Sequence, residues 1–343
     1  MTQITTDSVE SAVPSASWLS ALRNLAIGLV VLAAALLITS FLLLPVARAQ
    51  GQGKSELRIG FQKSASLMVL QKAQGSLEKK LEPLGFGVKW VEFPAGPQLL
   101  EGLNVGAVDF GFVGEAPPIF AQAAGARFYY IGHDPAAPKA EALVVPKDSA
   151  IKSVAELKGR KIALNKGSNV HYLLVRLLEK NGLKLSDVQP VYLAPADARA
   201  AFESKNVDAW VIWDPFTAAA EKQIGARVLA DGAGGVANNY QFYLGERGFV
   251  EKNPQVIRAV FEDSVEKGKW VKANLRQAAE LIAPLQGLAV DVTELSLRRY
   301  EFNVQPLSDA VIAEQQKIAD TFFDLKLIPK AVAVREASWK AAQ

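Results

Sequence analysis

The chain has 343 residues, 50% of them hydrophobic, with 38 basic against 35 acidic side chains and no cysteine. A net charge of +3 is too small and too evenly spread to argue for a nucleic-acid partner. The missing cysteine excludes disulfides, thiolate metal sites, thiol nucleophiles and a lipid anchor built on a cysteine. With two histidines, His133 and His171, a histidine cage for a metal is excluded as well. The length allows one large or two medium domains, whose chemistry must rest on hydroxyls, amides, carboxylates and backbone groups.

Leu25 to Leu44 is an almost unbroken apolar run, preceded by Arg23 as its only basic side chain. Ala47-Arg48-Ala49 follows, a small-x-small pattern that predicts a signal peptide over residues 1–49 with Gln50 as the first mature residue. The alternative is an uncleaved anchor, because such a run is long enough to span a bilayer. Asp7 and Glu10 are unusual in a leader. No twin-arginine pair is present, so export of an unfolded chain by the general secretory route is expected. Removing residues 1–49 takes away Arg23, Arg48, Asp7 and Glu10, so the exported charge stays at +3.

Leu57–Phe61 reads as a strand, and Leu67–Leu81 as an amphipathic helix ending near Pro83 and Gly85. Val88–Phe93 is a strand, Gln98–Asn104 a helix, and Val108–Val113 a strand running into Gly114-Glu115-Ala116-Pro117-Pro118. A strand over Lys161–Leu164 leads into a helix reaching Asn181, and the strand from Ala209 ends at Trp213-Asp214-Pro215. Helical periods return at Asn253–Asn274, Gln277–Leu285 and Ser308–Leu325. Such alternation predicts an α/β fold with parallel sheets covered by helices on both faces.

An internal repeat sharpens this. Leu81–Ala126 and Leu178–Ala226 both run helix end, Gly, strand, Pro-Ala (Ala-Pro-Ala in the second), short helix, Val-Asp, apolar strand, acidic residue, proline, helix, Gly-Ala. Val108-Asp109 pairs with Val207-Asp208, and Glu115 with Asp214, about one hundred residues apart. That period is too long for a solenoid and implies two similar doubly wound α/β lobes. Lobe 1 is expected at residues 54–145 and lobe 2 at 146–237. Residues 238–343 then supply a return strand and helices packing mainly on lobe 1. Ala142–Val145 and Tyr240–Leu244 would be the two connections of a hinge, with a cleft between the lobes.

Ligands of open α/β sheets bind outside the carboxyl ends of the strands. Four such ends stand out: Gln62-Lys63-Ser64, Gly114-Glu115, Ser168-Asn169 with His171 one turn into the helix, and Trp213-Asp214. Helix starts there offer unpaired N–H groups suited to an anion, and Ser168 and Asn169 add capping oxygens and donors. Each residue also has an ordinary reading. Ser168 suits a cap, Glu115 and Asp214 a helix start, Lys63 a solvated loop, Trp213 the core and His171 a structural place. Their grouping at equivalent ends of two repeated lobes is what argues for a site. No nucleophile elbow, phosphate loop or dinucleotide fingerprint is present, and Ser168 with His171 lacks a local orienting carboxylate. A hydrolase using Glu115 and Asp214 as a carboxylate pair remains the alternative from another class.

The runs EFPAGPQLLEGLNVGAVDFG, GEAPPIFAQAAGA, KGRKIALNKGSNVHYLLVRLLEKNGL and PADARAAFESKNVDAWVIWDPF, with Phe61-Gln62-Lys63-Ser64, carry a resemblance. Over most of Leu57–Asp231 the chain resembles the aliphatic-sulfonate-binding proteins of bacterial ABC importers, a family with taurine and nitrate binders among its branches. The resemblance implies a periplasmic-binding-protein type II fold whose two lobes close on a ligand and dock on an inner-membrane permease. It implies a monomer without cofactor, metal or catalytic residue. Carried over by motif, the pocket is drawn from Gln62, Lys63, Ser64, Gly114, Glu115, Ser168, Asn169, His171, Trp213 and Asp214. A sulfonate only accepts hydrogen bonds, so neutral donors would grip it. Trp213 and Phe61 would cover an alkyl tail, while Glu115 and Asp214 would repel further anions or hold an ammonium. Taurine, nitrate or another small anion is the alternative ligand, and a tethered sensor domain the alternative role if the anchor stays. The sequence departs from the family at Ala65-Ser66, where Gly-Thr is common, and at Phe112-Val113, where smaller or polar residues are common; the bulkier pair would narrow the cleft.

Overall fold

The computed structural model describes Ser55–Lys340; the leader or anchor expected at residues 1–49 lies outside the described residues. No helix among the described residues is long and apolar enough to cross a membrane.

The first lobe runs β1 (Ser55–Phe61), α1 (Ser66–Gln74), α2 (Ser76–Leu81), β2 (Phe86–Glu92), α3 (Gly96–Asn104), β3 (Phe110–Gly114), α4 (Ala116–Ala123) and β4 (Phe128–Asp134). The chain crosses and forms β5 (Glu141–Val145), β6 (Lys161–Leu164), α5 (Asn169–Lys180), β7 (Gln189–Tyr192), α6 (Pro195–Glu203), β8 (Ala209–Trp213), α7 (Phe216–Gln223) and β9 (Arg227–Asp231). It crosses back into β10 (Gln241–Glu246) and ends in α8 (Arg247–Lys252), α9 (Pro254–Ala273), α10 (Leu275–Gln286), α11 (Val290–Leu297) and α12 (Asp309–Asp324). The central strands read as near-continuous apolar runs because both sheet faces are covered: Leu57, Ile59, Leu143, Val144 and Val211 are all fully buried.

The repeat seen in the sequence is a repeat of topology. The sheets are ordered β2-β1-β3-β10-β4 and β7-β6-β8-β5-β9, so each lobe inserts at the same place a strand belonging to the crossing chain. The repeated Val-Asp step has one job in both copies. Its valine is buried, and its aspartate accepts the backbone N–H at the start or middle of the neighbouring strand, Arg58 N to Asp109 at 2.9 Å and Lys161 N to Asp208 at 2.8 Å.

Three expectations need correction. The sheets are mixed rather than parallel, because β10 runs antiparallel to β3 and β4, and β5 antiparallel to β8 and β9. Ala142–Val145 and Tyr240–Leu244 are therefore not connections: nearly all of both are these inserted strands, and Glu141–Val145 belongs to the second sheet. The crossings run through 135–140 and 232–240, bonded to each other by Gly232 N to Pro138 O and Ala137 N to Asn238 O, both 2.9 Å. Gly232 is needed there, since a Cβ would lie 2.7 Å from the Ala237 carbonyl and 2.8 Å from that of Pro138. The helix expected over Leu67–Leu81 breaks at Gly75, whose φ of +58° ends α1 and opens α2.

The C-terminal helices pack on lobe 1 and also reach lobe 2. Gln71 and Ser76 of lobe 1 donate to Asp263 of α9 at 2.8 and 2.9 Å. Val292 of α11 packs on Ala218 and Ala219 of α7 in lobe 2. Phe322 of α12 meets Phe120 of α4 at 4.8 Å and Tyr172 of α5 at 5.8 Å between ring centres.

Candidate ligand-binding site

The carboxyl ends of the two sheets face a cavity of about 650 Å³, open solvent included. Lobe 1 contributes Gln62 and Ser64 from the turn after β1, Ser66 from the start of α1, Phe112 and Gly114 from β3, and Asp134 from the end of β4. Lobe 2 contributes Ser168 and Asn169 at the start of α5 and Trp213 at the end of β8. Asn239 and Gln241 come from the returning crossing, Tyr300 and Phe302 from the segment after α11. The lining contains no lysine or arginine, and Asp134 is its one carboxylate.

Asn169 stitches the lobes together. Its carboxamide oxygen accepts from Ala116 N of lobe 1 at 3.1 Å, and its nitrogen donates to Asn239 Oδ1 at 2.7 Å. Gln241 donates to that same oxygen at 2.8 Å. Gly114 makes room for this amide: a Cβ there would stand 2.1 Å from Asn169 Oδ1. Asn239 holds φ at +53°, a left-handed conformation that asparagine tolerates better than most side chains.

Six of the ten sequence-predicted residues line the cavity: Gln62, Ser64, Gly114, Ser168, Asn169 and Trp213. The other four do not. Lys63 is exposed, and its carbonyl accepts from Gln286 at 2.7 Å. Glu115 is fully buried and accepts the backbone N–H groups of Asn239 and Tyr240 at 3.2 and 2.7 Å, so it ties β3 to the crossing. Asp214 is fully buried, paired with Arg299 at 3.2 Å and capping α7 through Ala218 N at 3.0 Å. His171 is buried beside Tyr192 and Phe322, and its Nδ1 accepts from Gly167 N at 3.3 Å. Phe61 also stands away from the cavity, edge-on to Trp90 at 5.8 Å; Phe112, Tyr300 and Phe302 form the aromatic walls beside Trp213.

The acidic groups share one electrostatic cause. Burial pushes the carboxyls of Glu115 and Asp134 up to about 7, against two backbone donors in the first case and the Tyr243 hydroxyl in the second. Burial raises Asp214 to about 6 in spite of Arg299, and holds Glu141 well above the usual carboxylate range, helped by the Glu115 charge. His171 is pushed down to about 4 by burial and by Lys166, so it is neutral at pH 7. The Ser168 hydroxyl donates to the Asn165 carbonyl at 2.7 Å rather than to His171, so no nucleophile–base pair forms.

Sequence reasoning missed Asp134, Asn239, Gln241, Tyr300 and Phe302. The strand-end rule could have found Asp134, which closes the apolar run Phe128–Ile131. The others arrive from crossing and C-terminal segments whose place only the fold supplies.

The description NMT1/THI5 like matches residues 85–274. The alkanesulfonate-binding protein of Xanthomonas axonopodis pv. citri, solved bound to MOPS, is 43% identical with a TM-score of 0.80, covering 84% of this chain and 99% of its own. The periplasmic aliphatic sulphonate binding protein of Escherichia coli is 46% identical with a TM-score of 0.77, covering 84% and 93%. The desulfurization enzyme DszB shares the fold at 17% identity and a TM-score of 0.61, covering 83% and 96%. With two-lobed geometry, repeat and cavity in place, the chain belongs to the aliphatic-sulfonate-binding protein family, within the NMT1/THI5-like group.

Proposed function

We propose that the chain is the solute receptor of an ABC importer, capturing aliphatic sulfonates in the periplasm and delivering them to an inner-membrane permease. The observation that carries this reading is the lining: amide and hydroxyl groups of both lobes converge without a lysine or arginine. Such a set suits a group that only accepts hydrogen bonds and is weakly basic. Gln62, Ser64 and Gly114 face it from lobe 1, Ser168 and Asn169 from lobe 2, so a ligand touching both favours closure through its differential affinity. Trp213, Phe112 and Phe302 offer the tail an apolar surface.

The receptor acts as a monomer without chemistry on its ligand. Glu115 and Asp214 serve the crossing and the α7 start, and neither reaches the cavity as a hydrolase would need. Export by the general secretory route removes residues 1–49; the mass of the secreted protein should place its first residue at Gln50, and an intact leader would mean a membrane tether. For the ligand, the purified protein is heated with alkanesulfonates, sulfate, nitrate and bicarbonate. At a hundredfold excess over Kd, a true ligand stabilises by about 2.7 kcal/mol, a clear rise in Tm. A rise with nitrate or sulfate but with no sulfonate refutes the reading.

A further inference from the structure

The β4 strand ends in a carboxylate that the capture of a simple alkanesulfonate does not use. Gln241 pairs with Gly114 on one side and with Asp134 on the other, which sets Asp134 about 10 Å across the sheet from Gly114. Asp134 is 6% exposed and lines the cavity. One of its oxygens accepts from the Tyr243 hydroxyl at 3.2 Å; the other is buried with no hydrogen-bond partner. Buried acceptors are nearly always matched, so an orphan oxygen on a cavity wall marks a place where the occupant supplies the donor. No lysine or arginine of the lining can do so. Burial pushes this carboxyl up to about 7, and a plain sulfonate in the same cavity would push it further; an ammonium beside the free oxygen would hold it in its charged form.

We propose that Asp134 is a specificity-determining residue, selecting organosulfonates that carry a protonated amine at the end remote from the sulfonate. This rests on the sulfonate-receptor reading and names its substrate class. The amine donates to the free oxygen of Asp134, a charge-assisted bond stronger than a neutral one. The rings of Phe112 and Tyr300 line the same cavity, and aromatic faces also attract a cation.

Isothermal titration with matched pairs tests this: alkanesulfonates of two, three and four carbons against the same chains bearing a terminal amine. The native protein should bind the amino form at least tenfold more tightly in the best-fitting pair. Asp134→Asn, which keeps the shape and removes the charge, should bring that preference within twofold. The preference is lost through weaker binding of the amino ligand, while the plain ligand binds as before or better. Equal affinity within every pair in the native protein overturns the proposal whether or not the variant folds. An unchanged preference in a folded Asp134→Asn protein overturns it too. Plain alkanesulfonates binding alone leaves the receptor reading standing and sinks this one; binding of neither series sinks both.

Discussion

The contact between Gly114 and Asn169 can be tested as a thermodynamic unit. In Gly114→Ala the new methyl would overlap the Asn169 carboxamide, 2.1 Å from its oxygen and 2.3 Å from its nitrogen. The backbone of Gly114 is not in the left-handed region, so the cost is the overlap alone. Relief requires Asn169 to swing away, which breaks its bonds to Ala116 N and Asn239 Oδ1. Each such bond contributes about 0.5–1.5 kcal/mol, and leaving the buried Ala116 N–H without an acceptor costs about 1–3 kcal/mol. Asn239 Oδ1 keeps its bond from Gln241, so no second orphan arises. The expected loss is about 2–4 kcal/mol. Asn169→Ala removes the same bonds and should cost a similar amount. The double variant should then be no less stable than Asn169→Ala, because the added methyl enters space the amide has vacated. Urea unfolding of the four proteins gives the coupling energy, expected at about 2–4 kcal/mol, against the near-zero value of independent sites. Additive losses would refute the picture of Gly114 as the recess that lets Asn169 join the lobes.

Two further outcomes follow from the buried charges. Arg299→Ala strips the partner from Asp214, which is fully buried, and should destabilise by about 3–5 kcal/mol in urea unfolding; a loss below 1 kcal/mol would mean that the Ala218 N–H alone suffices for that carboxylate. The pH dependence has a definite sign. Glu115, Asp134, Asp214 and Glu141 have folded-state values above those of the unfolded chain, so between the usual carboxylate range and about pH 7 the folded state binds more protons. The contribution of Glu115, Asp134 and Asp214 is fully present below the unfolded carboxylate range and is lost as pH rises through 6 to 7, and that of Glu141 changes in the same direction. His171, pushed down to about 4, and His133, also lowered by burial, work the other way and cost stability below their unfolded value. Four carboxyls outweigh two imidazoles, so Tm should be higher at pH 5 than at pH 8. A lower Tm at pH 5 would contradict the assigned burial.

Much of the fold is legible in the sequence because its signals are local. Apolar runs of four to seven residues bounded by Gly, Pro and Asn fix most strands, and the Val-Asp step marks equivalent places in two lobes because the aspartate bonds the adjacent strand in each. Strand direction is not local. Glu141–Val145 carries no mark in its side chains that it enters the second sheet antiparallel; that follows from a chain that has just crossed over and pairs between β8 and β9. The same holds for β10, and reading both as linkers turned mixed sheets into parallel ones.

At the site, the strand-end rule found the positions but not the directions of side chains. A residue one step along a turn points to the opposite side, so Gly114 opens on the cavity while Glu115 turns into the crossing, and Trp213 faces the cavity while Asp214 turns to Arg299. The two acidic residues that the repeat brings to notice thus serve the crossing and the start of α7. The carboxyl that does line the cavity, Asp134, has no counterpart drawing attention to it. Its equivalent strand end in lobe 2 is Asp231, which accepts from Ala233 N at 2.8 Å and closes a turn instead. Twofold architecture therefore yields a one-sided cavity: neutral amides and hydroxyls come from both lobes, and its one carboxyl comes from lobe 1 alone. Net charge, small for the chain as a whole, carries no trace of that asymmetry.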